Sequence, residues 1–412
     1  MAIVVQKFGG TSVATPQGWQ ALAAQVRAAL EEGKEPVVVV SAMGRKPAPY
    51  ATDTLLSLVA DYPHWTSSRE RDMLMACGEI ISTVVVSHYL RSVGLTAKAF
   101  DGAGAGIKVQ GEYGQASIVA IDPSQLREWV TQGGIPVVAG FQGINERGEI
   151  VTLGRGGSDT TAVALGVALK AERVDIFTDV EGVMTADPRY VPQAQILKSL
   201  THQEIGEMAN EGAKVLHPRA VEISQAHRVP LRVRSTFSTN PGTEVTTPDP
   251  HHPIKDRAPA KERLVVGVVS VPGYCMVVLD FQGASDLHTR RLDVFEQLAQ
   301  ASLSLDMINV TEHRIAFLVR QEDLDLAKKL LEKFGYSFAM RFGCAKVSVV
   351  GQAMRGQPGV MARICQALSR AGVELYYSTD SHITISAVIP ERYLRVASQA
   401  LHREFGLEDK SL

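Results

Sequence analysis

"QKFGGTSV", residues 6–13, ends the apolar run Ile3 to Val5 with a lysine, two glycines and two hydroxyl residues. A P-loop carries its lysine after the glycines, as GxxxxGKS or GxxxxGKT, whereas Lys7 comes before Gly9 and Gly10. The stretch is therefore not that loop. Its ingredients still suit an anion: glycine lets backbone N–H groups approach closely, Thr11 and Ser12 add hydroxyl donors, and a helix is expected from Gln17. Strand, glycine turn and helix in that order are also the ordinary punctuation of an α/β fold. The rest of the chain decides between the two readings.

Short β-branched runs alternate with helical patterns up to about residue 235. "PVVVV" at 36–40, "IPVVAGF" at 135–141 and "RVDIFTDV" at 173–180 read as strands, and Gln17 to Glu32, Leu74 to Leu90 and Thr160 to Leu169 as helices. Strands apolar on both faces and separated by helices predict an α/β domain with a largely parallel sheet covered on both sides. Ligands in such sheets sit beyond the carboxyl ends of the strands. Residues 236–263 carry five prolines without hydrophobic periodicity and read as a linker or extended arm. Beyond it the chain repeats itself at one constant offset, Val294 with Ile364, Leu305 with Leu375 and Val319 with Ile389. Each copy, 264–340 and 341–412, reads as a βαββαβ unit, too small to be comfortable alone. Such a pair suggests regulation or an oligomer interface.

Composition narrows the class. The 412 residues are 45% hydrophobic and 21% charged with a formal net charge of -2, so nothing draws the chain to nucleic acid or an anionic membrane. A small-molecule partner is expected. Cys77, Cys275, Cys344 and Cys365 have no zinc-like spacing and read as reduced, buried thiols. No basic leader is visible at "MAIVVQKF" and no apolar run approaches bilayer-spanning length, so a cytoplasmic protein is expected.

The chemistry concentrates in "TLGRGGSDTTAVAL", residues 152–165. Arg155 offers a planar fork for a carboxylate, Gly156 and Gly157 bring backbone close, and Ser158 and Asp159 stand where a helix begins. Asp159 could be a plain cap. With Arg155 beside it, it also complements the ammonium of a zwitterion, which points to an amino-acid ligand. Glu79 in "CGEIIS" could favour a helix dipole from the first turn, or be a second anion near that ammonium. Ser41 and Gly44 follow a buried strand, and Asp179, Gly182, Asp187 and Arg189 could serve a nucleotide or shape a turn. His217, a lone histidine before Pro218, is read as structural. If an acidic amino acid met ATP, its own carboxylate would be the nucleophile, ionised at neutral pH, and no general base would be needed. The protein would then supply positive charge from Lys7 and Lys214, in-line orientation and Mg²⁺ on the phosphate oxygens.

"VVQKFGGTSV", "VVVVSAMGRK", "TLGRGGSDTTAVAL", "FTDVEGVMTADPR" and "GAKVLHPRAVE" together resemble the aspartokinases of the amino acid kinase family, in order and across nearly the whole chain. The resemblance implies a catalytic domain at 1–235, a linker at 236–263 and two ACT domains, with ATP phosphorylating the β-carboxylate of L-aspartate at the head of lysine, threonine, methionine and diaminopimelate synthesis. It implies that Lys7 and Asp159 serve catalysis and that Ser41, Thr52, Glu79, Arg155, Gly156, Gly157, Ser158 and Asp159 bind aspartate. For ATP it implies Lys7, Phe8, Gly9, Gly10, Ser41, Thr178, Asp179, Met184, Arg189 and Lys214, with Met184 standing where the family often has tyrosine. It assigns no protein ligand to a metal. Effector binding is implied at Asp280, Asp306, Gly359, Val360, Ser378, Asp380 and Ser381, for diaminopimelate, lysine or threonine, in a homo-oligomer joined through the ACT domains. Copy two keeps "QPGVMARI", whose Gly359 turn and exposed N–H groups could take a carboxylate; copy one, "DFQGASDLHTRR", lacks the Pro-Gly. The chain looks most like the diaminopimelate-sensitive Gram-positive form. Another carboxylate kinase of the same family and a non-catalytic amino-acid sensor are the rival readings.

Overall fold

The computed structural model describes residues 2–62, 67–213, 215–247, 264–282, 286–334, 337–351, 354 and 358–408. They fall into two compact units, one of residues 2–183, 196–210 and 215–247, the other of 184–195, 211–213 and the C-terminal part from 264.

The strands of the first unit are β1 (Ala2–Phe8), β2 (Lys34–Val40), β3 (Ala97–Phe100), β4 (Ile107–Gln110), β5 (Ser117–Ile121), β6 (Ile135–Ala139), β7 (Gln142–Ile144), β8 (Ile150–Thr152), β9 (Arg173–Thr178), β10 (Ser199–Thr201), β11 (Leu231–Ser235) and β12 (Thr243–Thr246). Its helices are α1 (Pro16–Glu31), α2 (Thr52–Ser57), α3 (Ser68–Ser92), α4 (Ser124–Thr131), α5 (Gly157–Leu169), α6 (His202–Asn210) and α7 (Pro218–His227). The main sheet runs β10-β12-β11-β9-β1-β2-β6-β3, parallel except for the β11–β12 pair. The α/β reading therefore holds. Missing from that reading is a second, four-stranded sheet, β5-β4-β7-β8, whose short strands carry little periodicity.

Alternation along β1 sets the site. Phe8 packs with Val38, Val40 and Phe177 against α1 and α3, and Gln6 donates to the Gln25 carbonyl of α1 on that same face. Lys7, one residue away, must point to the opposite face, where α5 lies. Local chemistry starts the helices: Thr15 accepts the Gly18 N–H ahead of Pro16, and Ser67 accepts that of Glu70.

Several expectations need correction. Residues 236–247 are not a free linker: β12 is a sheet strand, Thr243 is buried and donates to the Leu197 carbonyl, and the Thr236 N–H bonds to Thr178. The rest of that stretch, 248–263, lies outside the described residues. α3 is long and apolar enough to cross a membrane by length and composition alone. Here it is a core helix, burying Ala76, Val86 and Leu90 together with Asp72, Glu79, Ser82, Thr83 and Ser87. All four cysteines are free, but Cys77 and Cys365 stand on outer helix faces and are exposed.

The second unit contains β13 (Gly267–Asp280), α8 (Leu287–Gln300), β14 (Asp306–Val310), β15 (Arg314–Arg320), α9 (Leu324–Phe334), β16 (Ser337–Val350), α10 (Val360–Arg370), β17 (Tyr377–Asp380), β18 (Thr384–Pro390) and α11 (Leu394–Glu404). The repeat is visible as two βαββα runs. They share one six-stranded sheet, β14-β15-β13-β16-β18-β17. The 340/341 boundary falls inside β16, because the two long strands exchange halves: Gly267–Val271 pairs with the end of β16, and Met276–Asp280 with its beginning. The register shifts between the halves, at Gly273 and opposite Gly343, both with positive φ. Each half-strand then joins a different core, Val268 with Ile364 and Leu401, and Val277 with Val294 and Leu331. The first unit is also interrupted in sequence. Thr185 is bonded to His402, Tyr190 to Gln399, and Glu211 to Ser386 and Lys346, so residues 184–195 pack with α11 and 211–213 with the C-terminal sheet.

Candidate active site

Four parallel strands end level with one another: Phe8 pairs with Val40 and Phe177, and Val40 with Ala139. The segments leaving them, at Gly9, Ser41, Gly140 and Thr178, are thereby gathered at one edge of the sheet, where α/β proteins bind ligands. Close backbone approach holds them there. A Cβ on Gly10 would lie 2.7 Å from the Ala42 carbonyl oxygen, and one on Gly140 would lie 2.7 Å from Cβ of Ser158. The Gly44 N–H bonds to Gly10, and that of Ser41 to Phe8.

On this edge Lys7 Nζ stands 2.6 Å from Asp159 Oδ1, with both side chains mostly buried. Asp159 is in the first turn of α5, which starts from Gly156 in the left-handed conformation and has no side-chain cap. An uncapped helix start presents N–H groups and positive dipole to an anion. Gly156 also makes room for a neighbour, since a Cβ there would sit 2.1 Å from the His217 ring. His217 thus packs on the RGGSD turn, with a buried Nδ1 that has no hydrogen-bond partner. Arg155 is exposed beside it.

Glu79 lies mid-helix in α3, not in a first turn, so the dipole role is ruled out. It is 3% exposed, its Oε1 accepts the Ala42 N–H at 3.0 Å, and its Oε2 has no partner. Burial pushes its carboxyl up to about 8, against a partial lowering by the Ala42 hydrogen bond. A buried acceptor with an open oxygen is suited to a cation. Thr52 opens α2 nearby, where Tyr50 and Ala42 press on Gly78 of α3. Thr178 donates to Asp179, which faces Arg45 at 3.7 Å.

Other expected residues stand elsewhere. The Phe8 side chain is fully buried, stacked on Phe177 at 4.6 Å, and offers a ligand nothing but its backbone. Met184 packs on the apolar cluster of the second unit, and Arg189 is paired with Asp187. Lys214 lies outside the described residues. In the second unit, Asp280 is held below its usual range by the Gln282 N–H and Arg314. Asp306 is also lowered; its own burial opposes this, and the Lys346 ammonium at 2.6 Å outweighs it. Gly359 turns into α10 at positive φ, and Val360 is buried, leaving its backbone alone for a ligand. Ser378 and Asp380 are on β17, with Ser381 bonded to Thr384 just beyond.

Asp72 went unread in the sequence. It is buried and accepts the backbone N–H groups of Gly114 and Thr152. Its one signal was position, two helical turns before Glu79 on the same helix face.

Residues 2–235 match the amino acid kinase family and residues 340–403 an ACT domain. The chain is 43% identical to aspartokinase 1 of Bacillus subtilis, over 99% of this chain and all of that protein. Among solved structures, Escherichia coli aspartokinase III in complex with aspartate and ADP superimposes with a TM-score of 0.77 at 26% identity, covering 98% of this chain and 99% of that one. The same enzyme with lysine and aspartate gives 0.76, also at 26% identity and with the same coverage.

Glu79 makes stability depend on pH. Unfolded, its carboxyl titrates near its ordinary 4.5; folded, it titrates at about 8. Between those values the folded chain keeps a proton that the unfolded chain has lost, so stability falls as the pH rises. Chemical unfolding at about pH 5 and about pH 8 is expected to show the unsubstituted chain losing stability relative to Glu79→Gln. A difference independent of pH contradicts a protonated, buried Glu79.

Proposed function

The chain belongs to the amino acid kinase family, as an aspartokinase, and from that premise we propose how its residues transfer the γ-phosphoryl group of ATP to the β-carboxylate of L-aspartate. The observation that carries the proposal is the Lys7–Asp159 pair at the strand ends, beside the uncapped start of α5. The reaction needs no general base, because the attacking carboxylate is already ionised at neutral pH. Its obstacle is charge: an anion must approach a polyanion. Lys7, aimed across the sheet edge and held by Asp159, supplies positive charge where the transferring group passes. Gly9 and Gly10 let the phosphates come close to backbone N–H groups.

Aspartate is held at both ends. Arg155 takes the α-carboxylate; Glu79 and Asp159 face the ammonium; Ser41, Thr52, Ser158 and the backbone of Gly156 and Gly157 complete the site. Thr178 and Asp179 serve the nucleotide, with Lys214 as a further contact. No group of three His, Cys, Asp or Glu side chains capable of holding a metal occurs among the described residues. Mg²⁺ fits as an ion carried on the phosphate oxygens, the ligands it prefers, where it neutralises their charge. The ACT region binds an end-product amino acid, diaminopimelate, lysine or threonine, in a cytoplasmic homo-oligomer. The lysine complex of the E. coli relative supports an amino-acid effector.

Lys7→Ala is expected to lower kcat by roughly a hundredfold or more with little change in the aspartate KM, because its charge matters most in the transition state. Arg155→Ala is expected to raise that KM by roughly thirtyfold. Initial-rate kinetics separate the two, and near-normal turnover without Lys7 contradicts the mechanism.

Glu79 adds a second observable. Its carboxyl, pushed up to about 8 by burial, must ionise to face an ammonium, so aspartate binding at about pH 7 is expected to release a proton to solvent. Calorimetry in buffers of different ionisation enthalpy measures this. A binding enthalpy independent of buffer, or release undiminished in Glu79→Gln, contradicts the assignment.

A further inference from the structure

α3 carries two buried carboxyl groups seven residues apart, on one face and about 10 Å from each other along the axis. Glu79 meets the Ala42 N–H. Asp72, 1% exposed, takes two backbone donors on the single oxygen Oδ2, Gly114 at 2.9 Å and Thr152 at 2.7 Å. A carboxylate this deep is costly unless its partners are well placed, and backbone N–H groups are among the strongest it can find. What they hold is specific. Thr152 is the last residue of β8, three before Arg155.

The same short segment is fixed on every side. The Thr152 carbonyl accepts the Ala116 N–H, the Leu153 N–H bonds to Phe141, and the Gly157 N–H closes a turn onto Gly154. Gly154 has a positive φ, and a Cβ on it would lie 2.8 Å from the Gly114 carbonyl oxygen. The 111–116 turn and the 152–157 turn therefore lean on each other, and Asp72 holds both. Arg155, with its backbone set by this arrangement, keeps its side chain exposed to a ligand.

We propose that Asp72 is a positioning residue for the amino-acid substrate: by clamping Thr152 and Gly114 it fixes the base of the RGGSD turn and so the aim of Arg155. The inference rests on the reading of Arg155 as the residue that binds the α-carboxylate. A misaimed fork weakens binding of the amino acid and leaves the nucleotide contacts alone. Asp72→Ala is therefore expected to raise the aspartate KM by about tenfold, with the ATP KM unchanged within about twofold and kcat within about threefold. Asp72→Asn keeps an oxygen acceptor but loses the charge, and is expected to raise the aspartate KM by about threefold. A merely structural role would instead reduce the active fraction, and so kcat, with both KM values unmoved.

The test is initial-rate kinetics on both Asp72 variants and Arg155→Ala, at matched folded concentration. If Arg155→Ala raises the aspartate KM while Asp72→Ala leaves it unchanged, the inference is overturned alone. Asp72→Asn takes that place, with the same criterion, if the alanine variant does not fold. If Arg155→Ala leaves the KM unchanged, the carboxylate reading of Arg155 falls, and this inference with it.

Discussion

Everything at the site depends on four parallel strands ending in one row. Hydrogen-bond register aligns Phe8, Val40, Ala139 and Phe177, so that four connecting segments converge on one edge. The period-two alternation of β1 then does the rest. It buries Phe8 on the side of α1 and α3 and sends Lys7 to the side of α5, where Asp159 receives it. A one-residue slip of β1 would turn phenylalanine toward α5 and Asp159 and lysine into the core. The apolar stack of Phe8 on Phe177 thus secures the charge chemistry, since it fixes the register.

Catalysis in such a site is electrostatic arrangement. In the proposed mechanism the nucleophile arrives with the substrate, and the protein would supply charge of the right sign at the right places: Lys7 and the start of α5 for phosphate, Arg155 for the α-carboxylate, Glu79 and Asp159 for the ammonium. Two of these charges are conditional. Asp159 is paired with Lys7, and burial favours the protonated form of Glu79. The buried members of this set, Lys7, Asp159 and protonated Glu79, are together nearly neutral, which eases their burial.

The sequence made some of this legible because the signals were local. β-branched runs, the glycine turns and the RGGSD stretch each lie within a dozen residues, and their periodicity names the element that carries them. What escaped depends on contacts between distant segments. Asp72 matters through Thr152, eighty residues on, and nothing near it in sequence says so. The burial of Glu79 comes from packing around α3, so its raised titration could not be read from "CGEIIS". β12 was hidden by surrounding prolines, and the half-strand exchange of β13 with β16 keeps the repeat intact while dissolving its boundary. Met184 and Arg189, which read as nucleotide contacts, lie in a stretch, 184–195, that packs with the second unit, Thr185 bonding to His402 of α11.

The proposed reaction at this edge transfers a phosphoryl group to the side-chain carboxylate of aspartate. Trapping the product with hydroxylamine tests it most directly, because an acyl phosphate yields a hydroxamate and an ordinary carboxylate does not. With ATP, Mg²⁺ and L-aspartate, β-aspartyl hydroxamate is expected in step with ADP release, and little product from L-glutamate. Hydroxamate formed preferentially from another carboxylate, or ADP release without any hydroxamate, would contradict it.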